Sequence, residues 1–180
     1  MEVTLVDHMG SDLSVVNAAR VSFAKVHKEF KDEADTKLIR YLAKHNHWSP
    51  FGHASLQFHI RAPIFVARQL VKHQVGLTWN EVSRRYVDIE PEFYTPEIWR
   101  GVAENKKQGS SEEEININPR HDMVDDYQKV LSTAKWTYEE LLRKGVCPEQ
   151  ARMVLPQSMM TEWYWSGTLY AFARVCNLRC

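Results

Sequence analysis

The chain has 180 residues, enough for one domain of ordinary size. Hydrophobic residues make up 44% and charged residues 26%, which excludes a disordered polar tail and leaves apolar material for a sizeable core. The 23 Lys and Arg balance the 23 Asp and Glu, so no basic excess marks a nucleic-acid partner, and no stretch approaches the roughly eighteen apolar residues of a membrane helix.

Met1 to Asp7 sets Val3 and Leu5 against Glu2 and Thr4, the alternation of a short strand. No basic segment followed by an apolar run stands at the start, so no secretory signal is expected. Asp32 to His47 reads as a helix, with Leu38, Tyr41 and Leu42 forming one apolar stripe. From Ala54 to Arg61 the pattern becomes a strand, with Ala54, Leu56, Phe58 and Ile60 on one face. Pro63 suits the first turn of a helix running to about His73. Val75 to Tyr86 predicts a loop leading into an irregular or short helical segment. Residues 101 to 121 are polar and aperiodic, a surface loop. Met123 to Lys144 returns to helical periodicity, with Gly145 placed to end it. A short helix from Glu149 to Leu155 stops at Pro156, Thr161 to Trp165 favours a strand, and Leu169 to Leu178 a final helix. The expected fold is α+β: a mixed or antiparallel sheet packed with long helices in a single domain. No Gly-x-Gly-x-x-Gly follows a strand, so a Rossmann site has no support.

Polar groups concentrate in two runs, Arg68 to Gln74 and Asn80 to Tyr86. On a helix from Pro63, Gln69, Lys72 and His73 share one face, while Glu81, Ser83 and Arg85 alternate as in an extended segment. Guanidinium and hydroxyl groups together hold phosphate well. Spacing alone equally allows a solvated helix face and a salt-bridged surface loop. Cys147, Cys176 and Cys180 form neither a disulfide framework nor a zinc spacing, which fits a reducing, cytoplasmic compartment. Cys147-Pro148 hints at a thiol nucleophile, but a structural cysteine is commoner. His45, His47, His53 and His59 lack a carboxylate or cysteine at metal-ligand spacing, and no metal is expected. Trp163-Tyr164-Trp165, with Trp79 and Trp136, reads as core and subunit-interface packing before a stacking platform for single strands.

Asn80-Glu81-x-Ser83-x-Arg85-Tyr86 resembles the second half of the signature of the flavin-dependent thymidylate synthases, with Thr78 in place of the preceding serine. The first half departs: Lys72-His73-Gln74 replaces Arg-His-Arg, with one extra residue before Thr78. Asn17-Ala18-Ala19-Arg20-Val21-Ser22, His47 to His53, Ala62 to Gln69, Ala151 to Pro156 and Asn177-Leu178-Arg179 are similar to the family in order along the chain. The resemblance implies synthesis of dTMP from dUMP, with FAD as cofactor and NADPH and 5,10-methylenetetrahydrofolate as co-substrates. It implies a homotetramer with active sites between subunits, and neither nucleic acid nor membrane as partner. By the same resemblance Gln69, Leu70, Val71, Lys72, Glu81, Val82, Ser83, Arg84, Arg85, Arg152 and Arg179 hold dUMP, and Arg179 polarises the uracil. Ser49, Lys72, His73, Gln74, Glu81, Thr168, Tyr170 and Arg174 hold the flavin. Thr168, Tyr170 and Arg174 replace the family's usual asparagine, arginine and asparagine, and the family continues past Cys180, so a truncated copy is expected. A catalytically impaired nucleotide- or flavin-binding module is the alternative these departures favour.

Overall fold

The structure is a computed structural model and describes residues 1–87, 89–104, 109–115 and 123–179. The chain groups into two compact units, residues 1–62, 66–82 and 161–180, and residues 63–65 and 83–160.

The first unit is built on a four-stranded sheet ordered β1 (Glu2–Met9), β2 (Ser55–Pro63), β6 (Met160–Thr168), β3 (Leu77–Glu81). β1 pairs antiparallel with β2, from Glu2 opposite Arg61 to Met9 opposite Ser55, with a register shift between Leu5 and Asp7. β3 pairs antiparallel with β6, placing Leu77 opposite Gly167, Trp79 opposite Trp165 and Glu81 opposite Trp163. The expected α+β class and antiparallel sheet are borne out. The alternation read from Ala54 to Arg61 also holds: Ile60 joins Ala62, Ala67, Trp163, Trp165 and Val175 in the core, and the half-buried Phe58 packs against them. Trp163, 1% exposed, stacks on Trp79 with ring centroids 4.4 Å apart. Phe172, from α6 (Leu169–Arg179), meets Phe58 and Trp165 edge-on at 5.0 and 5.2 Å.

Two helices precede β2, α1 (Asp12–Arg20) and α2 (Asp32–Lys44). α1 has no counterpart in the elements read from the sequence; it buries Val15 and Val16. Between the two helices the chain is tied down by Asn17, whose amide accepts from His27 N at 2.8 Å and donates to His27 O at 3.0 Å. The fully buried Asp35 accepts from Arg20 Nη2 at 3.0 Å and Lys31 N at 2.9 Å, and meets His27 Nδ1 at 3.2 Å. Its pKa is lowered to about 2, chiefly by the Lys31 amide, then by Arg20 and His27, against the opposing effect of burial.

Three expectations are corrected around the polar runs. Pro63 ends β2, and α3 spans only Ile64–Leu70. Proline lacks the N–H that a further ladder bond would use. Lys72, His73 and Gln74 lie in a turn beyond α3, so Gln69 does not share a helix face with Lys72 and His73. The segment after Gly76 is strand β3, not helical, because β6 supplies a ladder that local pattern does not reveal.

In the second unit, α4 (Met123–Arg143) buries Leu131 and Tyr138 and is followed by Gly145 at φ 83°, as its periodicity predicts. Tyr127 Oη donates to Tyr94 O at 2.6 Å, and Lys135 pairs with Glu90. α5 is short (Pro148–Ala151) and runs into a 3-10 turn, Arg152–Val154. The expected surface loop 101–121 instead contains part of an antiparallel pair, β4 (Arg100–Val102) with β5 (Ser110–Glu114); residues 105–108 and 116–121 of it lie outside the described residues.

Candidate active site

The first unit brings together two residues that the signature and the chain end place 106 positions apart. Arg179, the last residue of α6, donates from Nε to His73 Nε2 at 3.0 Å. The guanidinium always carries its protons, so His73 Nε2 is the acceptor and the imidazole proton of the neutral ring lies on Nδ1. This bond uses one of the five N–H donors of Arg179 and leaves the four on its terminal nitrogens outside it.

Glu81 closes β3. It accepts from Thr161 Oγ1 at 2.8 Å and from Trp79 Nε1 at 3.2 Å, while Val82 N donates to Glu162 O at 3.0 Å. Neither Thr161 nor Trp79 is among the site residues expected from the sequence, which marks Trp79 as a packing aromatic. The signal available was alternation: Trp79 and Glu81 lie two apart on one strand, and Thr161, Trp163 and Trp165 on another.

Ser49 opens a 3-10 turn, Ser49–His53, in the wall of a cavity of about 800 Å³ that Arg20, Tyr41, His45, His47 and Trp48 also line. The rings of Tyr41 and His45 stand 4.3 Å apart, and those of Tyr41 and His47 6.0 Å. Arg20 Nε is buried there without a hydrogen-bond partner. Tyr170 packs against Trp48 at 5.8 Å. Thr168 Oγ1 accepts from Ala171 N at 3.2 Å, which leaves its O–H to donate elsewhere. Gln69 lies on α3 and Arg174 on α6. Among the described residues no three His, Cys, Asp or Glu side chains are grouped to hold a metal ion.

In the second unit Ser83 to Tyr86 forms a turn closed by Tyr86 N to Ser83 O at 3.0 Å, not the extended segment read from alternation. The turn still brings the hydroxyl and the guanidinium together. Arg85 Nε donates to Ser83 Oγ at 3.1 Å, and its guanidinium lies 5.0 Å above the Tyr86 ring, so hydroxyl and guanidinium form one donor group. Arg84 is engaged otherwise, by the carbonyls of Ile89 and Glu90. Arg152 is exposed.

The frame defines the class. Over 94% of its length the chain matches the crystal structure of the UMP/dUMP methylase PolB from Streptomyces cacaoi bound with 5-Br dUMP, with a TM-score of 0.82 and 36% identity, covering 74% of that chain. The same methylase bound with 5-Br UMP matches with a TM-score of 0.75 and 32% identity, covering 72% of that chain. Residues 4–180 match the family described as Thymidylate synthase complementing protein. The flavin-dependent thymidylate synthase of Thermosipho africanus is 39% identical over 176 residues, which are 97% of this chain and 75% of that protein. An enzyme of that name from Thermus thermophilus is 41% identical over 177 residues, 98% of this chain and 63% of that protein. The chain belongs to the flavin-dependent thymidylate synthase family, as its signature implied.

Proposed function

We propose that this chain makes thymidylate from deoxyuridylate by flavin-dependent methylation of the uracil C5, with methylenetetrahydrofolate as carbon donor and NADPH as reductant. The observation that supports it best is the hydrogen bond between Arg179 and His73. It holds a guanidinium by one donor and leaves others for the O2/N3 edge of a uracil. Attack by C5 requires electron density on the ring, and donors oriented beforehand stabilise the charge that builds there. No thiol is then needed to activate the ring. By the resemblance the Ser83–Arg85 donor group and Arg152 are the residues that would take the phosphate, and Gln69 to Lys72, Glu81, Val82 and Arg84 are further residues assigned to the nucleotide.

The cavity beside Ser49 has a volume in the range of cofactor pockets, and its wall offers aromatic and imidazole faces. By the resemblance Ser49, Lys72, His73, Gln74, Glu81, Thr168, Tyr170 and Arg174 would hold the group, which supplies reducing equivalents when bound; of these, Ser49 alone lines this cavity. Lys72 keeps a positive charge without the planar fork of arginine, and Gln74 keeps donors without the charge. The protein works in the cytoplasm as a homotetramer with sites shared between subunits, without nucleic acid or membrane.

A second reading adds uridylate as a substrate, favoured by the similarity to a methylase solved with 5-Br UMP as well as 5-Br dUMP. One experiment covers both. The purified chain should be yellow with flavin absorbance, and with methylenetetrahydrofolate and NADPH it should convert dUMP to dTMP. Running UMP in parallel decides the second reading. A colourless protein that makes no methylated product from either nucleotide overturns both.

A further inference from the structure

Glu81 shares a strand face with Leu77 and Trp79, which pack on the buried cluster of Trp163 and Trp165. Its exposed side chain therefore sets a carboxylate at the rim of an apolar surface. Each oxygen has a donor within the chain, Thr161 Oγ1 on Oε1 and Trp79 Nε1 on Oε2. Both donors are held by packing. Thr161 is 5% exposed, on the same face of β6 as Trp163 and Trp165, and the Trp79 ring lies at 19° to that of Trp163. The ladder from Leu77 to Glu81 fixes the two strands in register. Each carboxylate oxygen still has a second acceptor direction.

We propose that Thr161 and Trp79 are positioning residues for Glu81: they hold its carboxylate in one rotamer and turn the remaining lone pairs toward N–H and O–H donors of the bound nucleotide. The inference rests on the assignment of Glu81 to the nucleotide site. A carboxylate fixed by two donors loses little rotamer freedom when ligand arrives, so the donors act on affinity through it. The plain alternative is that the Thr161 hydroxyl only satisfies a buried strand position. The two differ in what happens once Glu81 is gone.

Thr161→Val removes the hydroxyl and keeps the branched shape. A hydrogen bond to a charged group of this kind corresponds to about a ten- to hundredfold change. Thr161→Val should therefore lower kcat/KM for dUMP by about that factor, mostly through KM, and Thr161→Ser should recover most of the loss. In a Glu81→Gln background the Val substitution should cause little further change. An equal additional loss in that background overturns the proposal, as does a Thr161→Val protein within twofold of wild type. The Trp79 indole N–H resonance, assigned with Trp79→Phe, tests the geometry without any reaction. It should shift in Glu81→Gln, and an unmoved resonance overturns the proposal. If Glu81→Gln shows this shift but the wild-type protein makes no thymidylate, the assigned function is refuted, and dUMP affinity across the same variants then decides the role of Thr161: an unchanged affinity in Thr161→Val overturns it.

Discussion

Gly167 offers a quantitative test of the sheet that carries the site. It lies opposite Leu77, and a Cβ built there would stand 2.4 Å from Gly76 O, 2.5 Å from Leu77 Cδ2 and 3.2 Å from Leu77 Cα. The first and last are backbone atoms, so a rotamer change cannot relieve the clash and the two strands must part. Overpacking of this kind costs about 1–3 kcal/mol. Separation also weakens the bond from Thr168 N to Gly76 O, now 3.3 Å, adding about 1 kcal/mol. Replacing glycine by alanine returns about 0.5–1 kcal/mol by restricting the unfolded chain. The net is a loss of about 2 kcal/mol, which for a chain of this size lowers Tm by roughly 4–8 °C. Gly167→Ala should show this in thermal unfolding followed by circular dichroism, at one protomer concentration for all variants. Gly52→Ala is the control, because its Cβ would meet only Trp48 Cζ3 at 3.9 Å. A Gly167→Ala protein as stable as wild type would refute the close approach of Gly76 and Gly167.

Arg179→Ala should lower turnover about a hundred- to a thousandfold with a much smaller change in dUMP affinity, and Arg179→Lys should recover part of it; steady-state kinetics with equilibrium binding separates the two effects. The Asp35 carboxyl titrates at about 2 in the folded chain against an ordinary 3.8, so it contributes stability present in full above roughly pH 4 and lost as the pH falls through about 2. Asp35→Asn should be less stable than wild type at neutral pH, and the gap in Tm should narrow across that acid window. If sites are shared between subunits, mixing inactive Arg152→Ala and Ser83→Ala proteins should restore activity; no rescue after demonstrated subunit exchange would place each site within one chain. Replacing Cys147, Cys176 and Cys180 together with serine should leave appreciable turnover, measured on a folded, flavin-bound protein.

Periodicity was most informative where an element buries one face through its own pattern. β2 and α4 are of this kind: Ile60, with the half-buried Phe58 two residues before it, and Leu131 and Tyr138 recur at strand and helix spacing and face the core as expected. α1 escaped because its buried pair, Val15 and Val16, is adjacent and flanked by serine, asparagine and alanine, too weak a stripe to mark a helix. β3 escaped because its partner β6 is about eighty residues away, and the outward Thr78 and Asn80 hide the strand in a polar run. The helix expected to reach His73 stops at Leu70 because the chain turns there to enter β3, a tertiary demand that overrides local preference. The signature supplies the proposed site residues as a family set. It could not identify Thr161, whose only link to Glu81 is a hydrogen bond across 80 residues.

β6 ends at Thr168 and α6 begins at Leu169, with no residue between them. Strand and helix therefore move as one piece, and the pairing of β3 with β6 acts as a gauge for the far end of α6. Were β6 to slip by a single residue, about 3.3 Å along its axis, Trp163 and Trp165 would turn out of the core. The same slip would carry α6 with it and draw Arg179 away from His73. The stacked indoles thus serve as a detent: the large cost of exposing them holds a guanidinium at the other end of the helix within hydrogen-bond reach of its imidazole.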